Sequence, residues 1–146
     1  MTWQELLKEK RIEVMPTGKA ELDDLRAVAE RSLKDAALPL SLDGKFAMAY
    51  TAARTLSLMA VRASGYRIKP RGGAHRSTFL AFKVALGSDV EALADYLDVC
   101  REKRNDLSYE TAGLVSSTEA DELAAKCEEL RVLVESWIAK HHPEFT

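Results

Sequence analysis

Apolar residues recur at intervals of three and four positions along most of the chain, which is the spacing of one face of an α-helix. A clear example is the stripe formed by Leu22, Leu25, Val28, Ala29 and Leu33. No segment shows the sustained alternation of apolar and polar residues that is typical of a half-buried strand. The pattern therefore predicts an all-α fold, an antiparallel bundle of four to six helices, in one domain over residues 1–146.

Capping and breaking residues predict the boundaries of the first helices. A capping-box pattern at Thr2 predicts an N-terminal helix within residues 1–14, reaching about Glu13. Thr17 is predicted to cap the second helix, because its hydroxyl can accept from a free backbone N–H there. The core of the bundle is expected over about residues 17–140.

The third predicted helix is rich in alanine and apolar over much of its circumference, so we expect it at the centre of the bundle. Asp43 is predicted to cap its start, and Gly65 to end it in the left-handed conformation. A basic, glycine-containing loop over residues 66–75 follows. A fourth helix of about a dozen residues is predicted after that loop.

Two further helices complete the pattern. Ser88 is predicted to cap a helix whose apolar stripe, continued four residues beyond Cys100, reaches Arg104. The last helix is predicted to be capped near Ser117 or Thr118. Its expected buried face consists of Leu123, Cys127, Leu130, Val134, Trp137 and Ile138.

Arg104 is an unusual residue with which to continue an apolar stripe. Its guanidinium must reach solvent, pair with an acid such as Glu128 or Glu135 on the last helix, or line a cleft that holds an anion. A simpler interpretation is that Arg101, Lys103 and Arg104 complement the helix dipole, at a few tenths to about 1 kcal/mol each. Spacing alone favours this simpler interpretation.

Charge is distributed unevenly along the chain. The formal net charge is −2, yet no Asp or Glu occurs between Gly44 and Ser88. That interval holds eight cations: Lys45, Arg54, Arg62, Arg67, Lys69, Arg71, Arg76 and Lys83. The middle of the chain is therefore expected to attract phosphate, unless these cations face acidic neighbouring helices.

The residues do not suggest a membrane protein, a secreted protein, a disulfide-bonded protein or a metalloprotein. There is no run of eighteen apolar residues and no secretory-signal pattern, so we expect a cytoplasmic protein without membrane contact. Cys100 and Cys127 lie on predicted apolar faces without CxxC spacing, which favours buried reduced thiols over a disulfide. His141 and His142 are a weak metal signal and are expected only to end the last helix. No metal or other cofactor is predicted.

Two stretches of the chain resemble the HEPN family of helical domains, named for higher-eukaryote and prokaryote nucleotide binding. Residues 49–82, AYTAARTLSLMAVRASGYRIKPRGGAHRSTFLAF, resemble the alanine-rich helix, the Gly-Tyr turn and the His-started next helix of that family. Residues 104–109, RNDLSY, resemble its RNxxxH motif. The resemblance covers about residues 17–140.

This resemblance implies a phosphoryl-transfer site. Many family members are metal-independent ribonucleases that act as dimers, often as toxins paired with a small nucleotidyltransferase or another antitoxin. Arg104 and Asn105 match the motif, and Tyr109 stands where the family has histidine. A phenol titrates near pH 10 and an imidazole near 6.5, so Tyr109 is about three orders of magnitude less available as a base at pH 7. The implied catalytic positions, Arg104, Asn105 and Tyr109, therefore predict weak or absent catalysis.

His75 is a second candidate for phosphate chemistry. It follows two glycines at a predicted helix start, where anions are favoured; the alternative is a histidine that caps the helix or bonds a carbonyl. The candidate nucleotide- or phosphate-binding residues are Arg62, Arg67, Lys69, Arg71, His75 and Arg76.

Three functions remain open on this evidence. The first is a HEPN-like nucleotide- or RNA-binding homodimer with a degenerate motif. The second is a metal-independent HEPN ribonuclease toxin of a toxin-antitoxin pair. In such a pair with a nucleotidyltransferase-type antitoxin, resemblance makes Tyr109 a candidate acceptor of AMP. The third is a helical protein-interaction module without a nucleic-acid role.

Overall fold

Six α-helices make up most of the computed structural model, which describes residues 1–107 and 112–146. The helices are α1 (Trp3–Lys8), α2 (Lys19–Ala36), α3 (Leu42–Ala63), α4 (Ala74–Leu86), α5 (Glu91–Asp106) and α6 (Ser117–His141). Short 3-10 helices occupy Ser88–Val90 and Pro143–Phe145. The predicted all-α fold is confirmed. Within the described residues, no helix combines the length and apolar character that a membrane span requires.

Helix α3 lies at the centre of the bundle, as its composition predicts. It packs against α2, α4, α5 and α6, and Ala52, Ala53 and Ala60 are fully buried along it. Small side chains let neighbouring helices approach closely, and the larger core residues come from those neighbours. These include Leu22 of α2, Phe79 and Phe82 of α4, Leu97 of α5 and Leu130 of α6.

The N-terminal segment differs from its prediction. Helix α1 ends at Lys8, and Lys10 turns the chain in the left-handed conformation, with φ 58°. Residues Ile12–Val14 then form a short strand, β1, which pairs antiparallel with β2 (Tyr66–Ile68) in the segment predicted as loop. The prediction of a helix to about Glu13 is therefore wrong. Burial of Ile12 in the smaller core cluster stabilises this turn. The strand left no sign in the sequence because three residues are too few to show a period of two.

The cap predicted for α2 is also wrong. Gly18 occupies the N-cap position, and no side chain caps this helix. The Thr17 hydroxyl instead donates to Oε2 of Glu21 at 2.9 Å.

The cap of α3 is Ser41, whose Oγ accepts from the Gly44 N–H at 3.0 Å. Asp43, predicted for that role, lies in the first turn, and its carboxylate accepts from the backbone N–H groups of Gly113 and Val115. Two chain segments that are distant in sequence are thereby joined, which no local pattern could indicate.

The starts of the later helices also differ from their predictions. Ser88 makes no capping hydrogen bond, because a 3-10 turn precedes α5. Helix α6 is capped one residue earlier than expected, by Ser116, which forms a reciprocal capping box with Glu119.

Other predictions are confirmed. Gly65 follows α3 with φ 89°, in the left-handed region. The predicted face of α6 is buried, with Trp137 packed against the core at its edge. Both cysteines are buried free thiols, and burial raises the pKa of Cys100 to about 11 and that of Cys127 to about 12. Neither thiol is therefore activated as a nucleophile at neutral pH.

Candidate functional site

A tyrosine–histidine pair lies where the start of α4 meets the middle of α3. The Tyr50 hydroxyl and Nδ1 of His75 are 3.0 Å apart, and the two rings are stacked. Tyr50 is only 2% exposed and packs edge-on against Phe79. The loop reaches this position through Gly73, whose φ of 83° at the N-cap of α4 favours glycine.

Three guanidinium groups surround this pair. Arg54 lies one helical turn after Tyr50 on α3, and Arg101 and Arg104 are three residues apart on α5, so each pair shares a helix face. Burial lowers the pKa of His75, and the positive charges of Arg54, Arg104 and Arg101 lower it further. The same three charges act on Tyr50. Two helices thus converge their cations on one imidazole.

The protonation states follow from these pKa shifts. Burial raises the pKa of Tyr50 to about 12, so the phenol keeps its proton at neutral pH. The pKa of His75 lies below 6.5, so the imidazole is mostly neutral at pH 7. The pair therefore adds hydrogen-bonding groups to the site without adding negative charge.

Arg54 has an unusual environment. Its Nε atom is buried and has no hydrogen-bond partner among the described residues. A buried N–H without an acceptor costs about 1–3 kcal/mol, and more for a charged group. An anion bound beside Arg54 would supply the acceptor that this part of the protein does not.

Asp98 organises the far side of the site. Its Oδ1 accepts from Nε of Arg101 at 2.8 Å, and its Oδ2 accepts from Arg76 at 2.9 Å. One carboxylate therefore holds an arginine of α5 beside an arginine of α4, and Nη2 of Arg101 also lies 3.7 Å from Glu102.

The groups meet at two adjoining depressions, of about 420 and about 250 Å³, which share His75 and Asn105. Together they are called the arginine cleft here. Its cationic border consists of Arg71, Arg76 and Arg101 around the larger depression and Arg54 and Arg104 around the smaller one. None of the described residues that border the cleft is Asp or Glu.

Five of the site residues predicted from the sequence border this cleft: Arg71, His75, Arg76, Arg104 and Asn105. Arg71 also donates to the backbone oxygens of Glu9 and Lys10, which holds the basic loop against the end of α1. Tyr109 lies outside the described residues.

Arg62, Arg67 and Lys69 are not among the residues that border the arginine cleft. Arg62 is 6% exposed and donates to Glu21 at 2.6 Å and to backbone carbonyl groups, so it joins α3 to α2 and to the strand segments. Arg67 pairs with Glu13, its register partner on β1. The backbone N–H of Lys69 extends the pairing of these segments by donating to the Arg11 carbonyl.

Half of the eight mid-chain cations form ion pairs among the described residues. Four of the eight pair with acids of other elements: Arg62 with Glu21, Arg67 with Glu13, Arg76 with Asp98 and Lys83 with Asp95. Arg54 and Arg71 form no ion pair within the described part of the chain, and both border the cleft. The expectation of acidic neighbours therefore holds for half of the set.

Sequence reasoning did not assign Tyr50, Arg54 and Arg101 to the site. The i, i+4 spacing of Tyr50 and Arg54 within an otherwise apolar helix is the signal that could have found two of them. Glu135, one of the two acids suggested for Arg104, binds Arg26 of α2 in a bidentate pair. Residues 1–107 and 112–146 contain no group of three or more His, Cys, Asp or Glu that could hold a metal ion.

Comparison of the chain with family models, curated proteins and solved structures gives no significant match. The described residues form a helical bundle with an arginine-lined cleft between α3 and the α4–α5 pair.

Proposed function

We propose that this protein binds the phosphate group of a nucleotide or of RNA in the arginine cleft, as a HEPN-like module with weak or absent catalysis. The observation that carries the proposal is the convergence of Arg54, Arg101 and Arg104 on His75, at a border where the described residues include no carboxylate. An arginine that is merely solvated does not need to lie beside other cations. A bound phosphate oxygen, in contrast, is stabilised by each of these guanidinium groups.

The chemistry of the groups fits phosphate. Guanidinium groups donate in a planar fork that matches phosphate oxygens, and a hydrogen bond to a charged group contributes about 1.5–3 kcal/mol. The start of α4 adds partial positive charge, since no side chain caps it. Depressions of about 420 and 250 Å³ are also close to the range of about 300–1,000 Å³ that is usual for small-molecule sites.

The binding test compares arginine-to-alanine variants inside and outside the cleft, each of which removes one positive charge. Arg54→Ala and Arg104→Ala are expected to weaken binding of AMP and of a labelled single-stranded RNA at least tenfold, as calorimetry and fluorescence anisotropy would show. Arg31→Ala is the matched control, because Arg31 is exposed on α2, which contributes no residue to the cleft border. Equal losses in all three variants would mean that the cleft is not the binding site.

Weak catalysis is proposed because Tyr109 replaces the imidazole of the motif that the chain resembles. Purified protein incubated with RNA in EDTA is expected to leave it intact, and Tyr109→His to gain cleavage. Robust cleavage by the unaltered protein, abolished by Arg104→Ala, would favour the ribonuclease toxin instead. The proposed homodimer predicts a mass near twice 16.2 kDa by light scattering. A nucleotidyltransferase-type antitoxin is the partner to test for co-purification.

A further inference from the structure

We propose that the arginine cleft selects a terminal phosphate monoester over an internal phosphodiester, so that its ligand is a nucleotide or a phosphorylated RNA end. This inference rests on the proposed function and adds to it the chemical class of the bound group. Three features of the cleft carry it: the orientation of the imidazole proton, the excess of cations and the number of donors.

Tyr50 determines how His75 presents its ring to the cleft. The phenol is buried, and the only acceptor for its O–H among the described residues is Nδ1 of His75. A buried O–H without an acceptor is unfavourable, so Tyr50 donates and Nδ1 accepts. In the neutral imidazole the proton then resides on Nε2, on the opposite edge of the ring. His75 borders both depressions and therefore offers them a donor.

The positive charge around the cleft is more than a ligand with one negative charge would neutralise. Five arginines border it; Asp98 accepts from Arg76 and Arg101, and Glu102 lies 3.7 Å from Arg101, so the described ion pairs bring two carboxylates to five guanidinium groups. A phosphodiester carries one negative charge, whereas a terminal phosphate monoester carries about −1.5 to −2 at neutral pH. The second charge on the ligand offsets repulsion among guanidinium groups that a diester would leave in place.

Counting donors leads to the same ligand. A terminal phosphate presents three acceptor oxygens that are not bonded to carbon. A diester presents two. The guanidinium groups of Arg54, Arg101 and Arg104 and the imidazole of His75 come from three different helices. Donors on three helices approach the ligand from three sides. A monoester can place one oxygen toward each side, whereas a diester has only two such oxygens.

The test compares AMP with adenylyl-(3′→5′)-adenosine and adenosine by calorimetry. AMP is expected to bind at least tenfold more tightly than the dinucleoside, which has a diester only, and adenosine most weakly. Equal affinity of AMP and the dinucleoside, both above adenosine, would overturn the monoester preference and leave the proposed function intact. Binding of neither above adenosine would overturn both.

A second arm distinguishes the source of the monoester. One RNA octamer is prepared with a 5′-phosphate and with a 5′-hydroxyl. If the phosphorylated octamer binds at least tenfold more tightly than both AMP and the hydroxyl form, the ligand is an RNA end. If it binds like AMP, the ligand is a free nucleotide. If the two octamers bind equally, the preference is refuted.

Tyr50→Phe tests the positioning role of Tyr50, because it retains the buried ring and removes the O–H. The ratio of AMP to dinucleoside affinity is expected to fall severalfold while the far-ultraviolet circular dichroism is unchanged. Nitrogen NMR of the His75 ring provides a readout that a structural defect would not mimic. The unaltered protein is expected to show the proton on Nε2, and a proton on Nδ1 would refute the donor role.

Discussion

Replacing Arg54 by methionine is expected to stabilise the protein in phosphate-free buffer while abolishing anion binding. Arg54 is half-buried, its Nε is buried without a partner among the described residues, and it acts on the same imidazole as two other guanidinium groups. Methionine keeps an unbranched chain of similar shape and removes both the charge and the unpaired donor. A gain on removal of a native side chain would mark Arg54 as a residue retained for binding.

The size of the gain can be worked from the same contacts. Relieving one buried unpaired donor is worth about 1–3 kcal/mol, and half-burial places Arg54 in the lower part of that range, at about 1–2 kcal/mol. A chain of this length gains about 2–4 °C in Tm per kcal/mol, so the expected rise is about 2–8 °C. AMP at one hundred times its Kd adds about 2.7 kcal/mol to a protein that binds it. Arg54→Met should show no such addition.

Thermal and urea unfolding, each with and without AMP, provide the assay. Arg31→Met is the matched control on an exposed position, and its stability is expected to stay within about 0.5 kcal/mol of the unaltered protein, with the AMP response intact. A loss of more than 1 kcal/mol in Arg54→Met, or an unchanged response to AMP, would show that Arg54 is a structural residue and not an anion-binding one.

Three further outcomes are expected. Arg62→Ala should lower the free energy of unfolding by about 2–4 kcal/mol, as measured by urea unfolding, because Glu21 and two carbonyl groups lose their donor. Calorimetry should show an unchanged affinity for AMP. The lowered pKa of His75 means that the unfolded chain takes up its proton first, so stability should fall as pH drops below about 6.5, and His75→Gln should flatten that slope in urea unfolding. Ser116→Ala should cost about 0.5–2 kcal/mol in the same assay, because the capping box of α6 is lost.

The helical part of the fold is readable from the sequence because its signals are local. The central position of α3 follows from its alanine content, and the buried face of α6 follows from a stripe of period 3.6. Gly65 ends α3 as expected, since glycine adopts positive φ without steric cost. Each of these signals depends on residues within a few positions of one another.

Caps and short strands were decided by contacts between distant segments. Asp43 satisfies backbone groups of Gly113 and Val115, seventy or more positions away, and so leaves the capping of α3 to Ser41. Strand β1 forms because its first residue, Ile12, is buried in the smaller core cluster and β2 pairs with it. Neither the contacts of Asp43 nor the pairing of β1 could be predicted from the residues next to them in the sequence.

The candidate site shows the same division. Periodicity, composition and short motifs are linear properties, so they predicted the helical bundle, the cationic middle of the chain and the candidates Arg104, Asn105 and His75. Which of the arginines form ion pairs depends on contacts that exist only in the folded chain. Folding pairs Arg62 with Glu21 within the bundle and brings Arg54 close enough to lower the pKa of His75, because an ion pair or a cleft requires side chains that the chain brings together only on folding.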